Sequence, residues 1–378
     1  MQLSRELAAR GNEVLHLHCP SYRAGKGDLA LRADDPGTLE IEPVDMGADF
    51  AKYSPAKRVR QEITYGNRVG RRIAECRPDV VLSADTPLFA QSVIVRSLRG
   101  KTPLIFWLQD FYSLAMQPEA ERRVPVAGGF LGRSLIGLER KALLRSDAVV
   151  AISEDFRTRL LDWGVPAERI EVIENWAPVE ELPLRPRQNG WARRHGLESG
   201  PVLLYSGTLG LKHDPALLLR LAEELPGVRV VVASEGLGAD WLRERPRENL
   251  VLLGFQPYGD LPDVLATGDV LIVILERDAG RFAVPSKVLS YLCAGRPLLA
   301  ALPADNLAAK IVEGSGAGVL VDPDDGEGLV AGARRLLDDA ELRERLGAAG
   351  RAYAERKFDI RTITDRFEEV IASVSSRS

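Results

Sequence analysis

Cysteine, aromatic residues, long apolar runs and excess positive charge are all scarce in this 378-residue chain, and each scarcity excludes something. The three cysteines, Cys19, Cys76 and Cys293, are scattered and form no pair at metal-ligand spacing, so they are expected to be reduced thiols in a cytoplasmic protein. Aromatic residues make up 6% against 45% hydrophobic residues, and abundant Ala, Leu, Val, Gly and Arg suit a soluble α/β protein better than an all-β one. No run approaches the ~20 apolar residues of a membrane helix, and no signal peptide opens the chain. A protein that does not span a membrane is expected, with contact at its inner face left open. The net charge of -4 removes the global basic field of a nucleic-acid binder, and the length suffices for two domains with full cores.

What is present is a repeated alternation of strands and helices, organised around RFAVPSKVLSYLCAGRPLLA, Arg281 to Ala300. The apolar run Val270 to Leu275 predicts a buried strand. A polar loop follows, ends in Pro285, Ser286 and Lys287, and opens a helix to Gly295 before a second strand, Pro297 to Leu302. Pro fits a first helical turn, whose free backbone N–H groups attract anions. Lys287 adds a full positive charge, although Ser-Lys could do no more than open the helix of an ordinary βαβ unit. A second loop, in PVLLYSGTLGLKHDPALLL, runs from strand through Gly207 to Gly210, then Lys212 and His213, to a helix at Pro215. Its backbone N–H groups could cradle phosphate oxygens while Lys212 neutralises them, though the pattern is neither a P-loop nor G-x-G-x-x-G.

Taken in order, the chain begins inside an amphipathic helix (Leu3, Leu7, Ala8) that feeds a strand at Val14 to Leu17. Such helices usually cross over from an earlier parallel strand, so a first strand and its loop are expected to be missing. His16 and His18 share one strand face with no third ligand in view, which favours packing over metal binding. A Gly-, Pro- and Asp-rich connection from Pro20 to Pro55 holds one strand, Leu39 to Val44. The helix Lys57 to Arg77 carries Lys57, Arg58, Arg60, Arg68, Arg71 and Arg72 with few acids: a solvated face, or a surface for anionic lipid headgroups. PDVVLSADTP and TPLIFWLQDFYSLA each run from strand to polar residues. Asp85, Thr86, Gln109 and Asp110 should therefore gather at the carboxyl ends of parallel strands, where open α/β sheets place ligands, unless Asp85 merely caps the next helix. Phe111 to Leu131 is apolar without clear periodicity and is expected to fold into the core or, in preference, to form an apolar acceptor mouth. Beyond it, Leu135 to Arg145 reads as a helix, Ala148 to Ile152 as a strand, Ser153 as a helix cap, and PVEELPLRPRQNG as an interdomain linker. A second alternation ends in helices to about Ala354 and a last helix, Ile360 to Val374.

Over nearly its whole length the chain resembles the family 4 retaining glycosyltransferases of the GT-B fold. The resemblance is carried by ELAARGNEVLHL, RPDVVLSADTPLFA, AISEDFRTRLLDWGVPAERIEVIENWAP, YSGTLGLKHDPALLL, LLGFQPYGDLPDVLATGDVLIVIL and PSKVLSYLCAGRPLLA, each loose but specific in order and spacing. The form PSK...AGRP is most similar to bacterial enzymes that build exopolysaccharide, colanic-acid-type or O-antigen repeats. The resemblance implies two Rossmann-like domains facing a cleft: an acceptor-binding domain over residues 1–184 and a nucleotide-sugar donor-binding domain over 185–354. A C-terminal helix within 355–378 would cross back to the first. It further implies that Gly207, Thr208, Gly210, Glu235, Phe255, Pro285, Ser286 and Val288 bind the donor, with a UDP-sugar the first expectation. Lys212, Lys287 and Asp110 would be catalytic, and Asp85, Thr86 and Gln109 would lie on the acceptor side. Fixed cations stabilise charge growing on a diphosphate leaving group, so no metal or other cofactor is required. The partners implied are the nucleotide-sugar and a lipid-linked or saccharide acceptor, with peripheral membrane contact and no nucleic acid.

The family's two glutamates, separated by seven residues, fall at Phe282 and Ser290, with Glu276 and Asp278 nearby. The first would touch the donor sugar and the second the ribose. Together with the missing first strand, their replacement sets a rival reading, a non-catalytic GT-B remnant that binds nucleotide or a partner enzyme. A GT-B-fold sugar-nucleotide epimerase would need a His and acid cluster for proton abstraction that is not evident.

Overall fold

The computed structural model describes residues 1–376 apart from 22–28, 48–53, 85, 99, 101, 124–127, 211 and 278–285. Its strands are β1 Val14–His18, β2 Leu39–Pro43, β3 Val81–Ala84, β4 Leu104–Leu108, β5 Ala148–Ala151, β6 Ile170–Val172, β7 Val202–Ser206, β8 Arg229–Ala233, β9 Leu250–Leu253, β10 Val270–Ile274, β11 Leu298–Ala301 and β12 Gly318–Val321. Contacts divide the chain into two compact units, Met1–Asn175 with Ile360–Ser378, and Trp176–Asp359. The first dividing point precedes the proline-rich stretch because Ala177 and Leu182 are already buried in the second unit's core. Within that stretch Arg187 donates to Asp269 and to the carbonyls of Leu197 and Gly200, so it is tied to the second unit rather than loose. At the far end, the helix Ile360–Ser375 belongs to the first unit: Phe367 meets Trp107 edge-on at 5.0 Å, and Arg10 reaches Asp365 and Glu368.

In the first unit the described strands pair in parallel, β1 with β2 and, separately, β3-β4-β5-β6. The second unit has one parallel sheet in the order β12-β11-β10-β7-β8-β9. Alternate residues of its central strands feed two cores: Val202 and Leu204 with Leu271 and Val273 on one face, Leu203 and Tyr205 with Val270, Ile272 and Ile274 on the other. Full burial of each such aliphatic side chain contributes roughly 1.5–3 kcal/mol, which is why a strand covered on both faces reads as an unbroken apolar run. The first strand of the unit, β7, lies between β8 and β10: the chain runs from β7 through β8 and β9 to one edge, then from β10 through β11 and β12 to the other. A doubly wound sheet opens a ligand crevice at the carboxyl ends of such a pair.

Two expectations change. The segment expected as an acceptor mouth is mostly helical: Phe111 is 1% exposed against Phe156 and Trp163, and the helices Tyr112–Arg123 and Gly128–Leu144 follow. Phe130 and Leu131 on the second of these are exposed, while Val124 and Val126 lie outside the described residues. The basic helix, Pro55–Cys76, presents less free charge than its composition suggests, because Arg58 pairs with Glu62, Arg72 with Glu42, and Arg68 donates to the Asp45 carbonyl. His16 bonds to Ser4 Oγ at 2.9 Å, and burial pushes its pKa down to about 4. Among the described residues no group of three His, Cys, Asp or Glu could hold a metal ion, and no helix is long and apolar enough to cross a membrane.

Candidate active site

The Gly207 turn and the start of the Lys287 helix lie side by side at the β7/β10 crevice. Gly207 turns the chain at φ +120°, a conformation L side chains rarely adopt, and a Cβ there would stand 3.6 Å from Cε and Nζ of Lys287. Neighbouring residues take up most of the turn's N–H groups. The Gly207 N–H donates to Ala233 O at 3.1 Å, Leu209 N–H to Glu235 O at 3.1 Å, and Gly210 N–H to His213 Nδ1 at 3.2 Å. Tyr205 Oη donates to the Thr208 carbonyl at 2.8 Å. Three of the four N–H groups expected to cradle phosphate are therefore engaged inside the protein, and the turn contributes its shape and the side chains that follow it. Lys212, half-buried, is tied to the other loop through its carbonyl, which accepts from Glu276 N–H at 2.9 Å.

Lys287 opens the helix Lys287–Cys293. Tyr291 clamps that helix onto β7: its hydroxyl accepts from Ser206 N–H at 2.8 Å and donates to Ser206 O at 2.9 Å. The ammonium of Lys287 is buried 3.7 Å above the Tyr205 ring centroid and makes no hydrogen bond with any described residue. Burial pushes its pKa down from 10.5 to about 7. A desolvated cation–π contact contributes ~2 kcal/mol, whereas desolvating an ion costs several kcal/mol, so the ring alone does not offset the burial. An incoming anion would. His213 stands edge-on to the same Tyr205 ring at 6.3 Å, its pKa pushed down to about 4 by burial first and then by the Lys287 charge.

The remaining donor-side candidates spread along the same sheet end. Ser286 is exposed at the helix start with its hydroxyl capping no N–H. The Val288 side chain is 1% exposed and packs in the core, which leaves its backbone as the part that could meet a donor. Glu235 is exposed just after β8, and Phe255, 40% exposed, lies just after β9. Ser290 is half-buried on the Lys287 helix, while Pro285, Phe282 and Asp278 lie outside the described residues.

In the first unit, the register Ala84↔Trp107 sets the residues after β3 and β4 side by side, as the sequence implies. Thr86 Oγ1 bonds to Ser83 Oγ at 3.0 Å, and Ser83 donates to Gln91 Oε1 at 2.6 Å; Asp85 lies outside the described residues. Gln109 exchanges amide hydrogen bonds with Asn175 at 3.1 and 2.8 Å. Behind Asp110, the buried carboxylate of Glu139 accepts from Tyr112 N–H, Ser113 N–H and Ser113 Oγ at 3.0, 3.1 and 2.5 Å. Burial raises its pKa to about 7, and the Asp110 charge adds to the rise. Sequence reading missed Asn175 and Glu139. Asn175 follows a strand end as Gln109 does, and Glu139 sits on the stripe of Leu135 and Ala142 where an apolar residue would be expected.

Residues 1–181 match the family described as Glycosyltransferase Family 4, and residues 188–353 the family described as Glycosyl transferases group 1. WcaI of Escherichia coli K12, a glycosyl transferase assigned to colanic acid biosynthesis, is 27% identical over 250 residues; the match covers 64% of this chain and 60% of WcaI, so the chain spans about three fifths of that relative. Sucrose-phosphate synthase from Thermosynechococcus elongatus shares the fold with a TM-score of 0.74 at 15% identity, over 100% of this chain and 92% of its own. Anabaena HepE, solved with UDP-glucose, does so with a TM-score of 0.67 at 19% identity, over 90% of this chain and 86% of its own. Glycosyltransferase families thus match both halves of the chain in order, on two units built around parallel sheets, and the protein belongs to the family 4 glycosyltransferases of the GT-B fold.

Proposed function

We propose that the chain moves a sugar from a nucleotide-diphosphate donor, a UDP-sugar in the first instance, to a lipid-linked or saccharide acceptor with retention, in cell-surface polysaccharide synthesis at the inner face of a membrane. The observation that carries this reading is the buried Lys287 ammonium, without a hydrogen-bond partner among the described residues, at the β7/β10 crevice. In this reading the second unit holds the donor and the first the acceptor. As the bond from the anomeric carbon to the diphosphate breaks, negative charge grows on the leaving oxygen, and Lys287 and Lys212 stabilise it without a metal. Thr86, Gln109 and Asp110 receive the acceptor, with Asp110 orienting the attacking hydroxyl. The complex of HepE with UDP-glucose supports the donor class, and the assignment of WcaI to colanic acid biosynthesis supports the pathway class.

A thermal-shift screen against UDP, GDP, dTDP and their sugars tests it. A ligand at 100 times its Kd adds about 2.7 kcal/mol of apparent stability, which reads as a shift of a few degrees. A cooperative melt that moves with none of them would refute the donor site. Binding of a nucleotide-sugar with no transfer to any lipid-linked or saccharide acceptor would favour the non-catalytic remnant instead.

A further inference from the structure

We infer that His213 is a neutral anchor for the donor's diphosphate, its Nδ1 tied to the Gly210 N–H so that its Nε2–H is presented to a phosphate oxygen. The inference rests on the donor reading above. The Gly210 N–H points at Nδ1 across 3.2 Å, so Nδ1 must carry a lone pair, and the proton of a neutral ring then sits on Nε2. A charged imidazolium would set two N–H groups against each other. Burial first, and then the Lys287 charge, hold the pKa down at about 4 against an opposing contribution from the Gly210 backbone. No described residue accepts from Nε2, and the His213 side chain is only half-buried.

Its placement points to the same anion as the lysines. The His213 ring meets Tyr205 edge-on, and Lys287 Nζ lies over the face of that same ring, so one aromatic side chain carries both. Lys212 is the preceding residue. A third cation here would repel the first two in the absence of ligand. A neutral N–H adds a directional bond to phosphate without that cost, and its other nitrogen holds the turn from which it works.

Two substitutions separate the two nitrogens. His213→Asn places an amide oxygen where Nδ1 accepts from Gly210 but cannot reach as far as Nε2; His213→Gln reaches the Nε2 position with an N–H but gives up the anchor. Calorimetric titration uses whichever of UDP, GDP or dTDP the wild-type chain binds. The Asn variant is expected to melt as wild type without ligand yet bind the nucleotide ~10–100-fold more weakly. The Gln variant is expected to melt lower yet recover most of that affinity. Wild-type affinity in the Asn variant, or equal losses in both variants, would overturn the inference and leave His213 as a tie for the turn. A wild-type chain that binds none of the three nucleotides fails the donor reading itself, a result that needs no variant to recognise.

Discussion

Replacing Lys287 with methionine should make the ligand-free protein more stable and its nucleotide site worse. The side chain stays linear and apolar but loses its charge and its terminal atom. Moving a lysine from 10.5 to about 7 corresponds to a burial penalty of roughly 5 kcal/mol, of which the Tyr205 contact already offsets a part. Relief of that penalty, less the lost ring contact, is expected to raise the unfolding free energy by about 2–4 kcal/mol near neutral pH. The pH dependence fixes the sign. Because the folded pKa lies below the unfolded one, the penalty is present in full below about pH 7 and fades as pH rises towards 10.5. Wild-type stability should therefore climb across that window, and the methionine variant should lack the climb. Denaturant titrations at pH 6.5 and 9 read both effects.

The same burial makes nucleotide binding consume a proton. At pH 8 the free amine is mostly neutral, since its pKa is about 7. A diphosphate beside Nζ favours the ammonium and draws a proton from solvent. Calorimetric titration of UDP at pH 8 in two buffers of different ionisation enthalpy should report uptake approaching one proton, and Lys287→Met should show none while losing ~10–100-fold in affinity. A methionine variant that is less stable than wild type, or one that binds UDP with wild-type affinity, would refute the reasoning.

Other outcomes follow from single contacts. Gly207→Ala forces a side chain into φ +120° beside the Lys287 ammonium; it should cost ~1–3 kcal/mol in denaturant titrations and weaken UDP binding. Lys212→Ala should weaken UDP binding by about tenfold or more in titration calorimetry. Glu139, raised from 4.5 to about 7, contributes stability that is complete below pH 4.5 and lost as pH rises through 7. Glu139→Gln should flatten that slope, read as unfolding midpoints at pH 5 and 7.5; an unchanged slope would remove Glu139 as its source.

Local features of this chain were legible and their partners were not. The strands β7 and β10 could be read because a strand buried on both faces must be apolar throughout, and Gly207 because a sharp turn needs a residue without Cβ. The carbonyls that take up the turn's N–H groups lie on the far side of a crossover, at Ala233 and Glu235, and the register Ser206↔Ala233 brings them there. No local pattern announces that pairing, so the glycines alone did not show that most of the turn's N–H groups are already taken up. The Gln109–Asn175 amide pair joins residues after β4 and β6, and it too needed the sheet order before it could be seen. Lys287 shows why this matters for chemistry. A lysine at a helix start reads the same in sequence whether water or protein surrounds it. Tyr291 fastens the helix to Ser206 and Tyr205 receives the ammonium on its face, and it is this enclosure, not the place of the lysine in the sequence, that lowers its pKa.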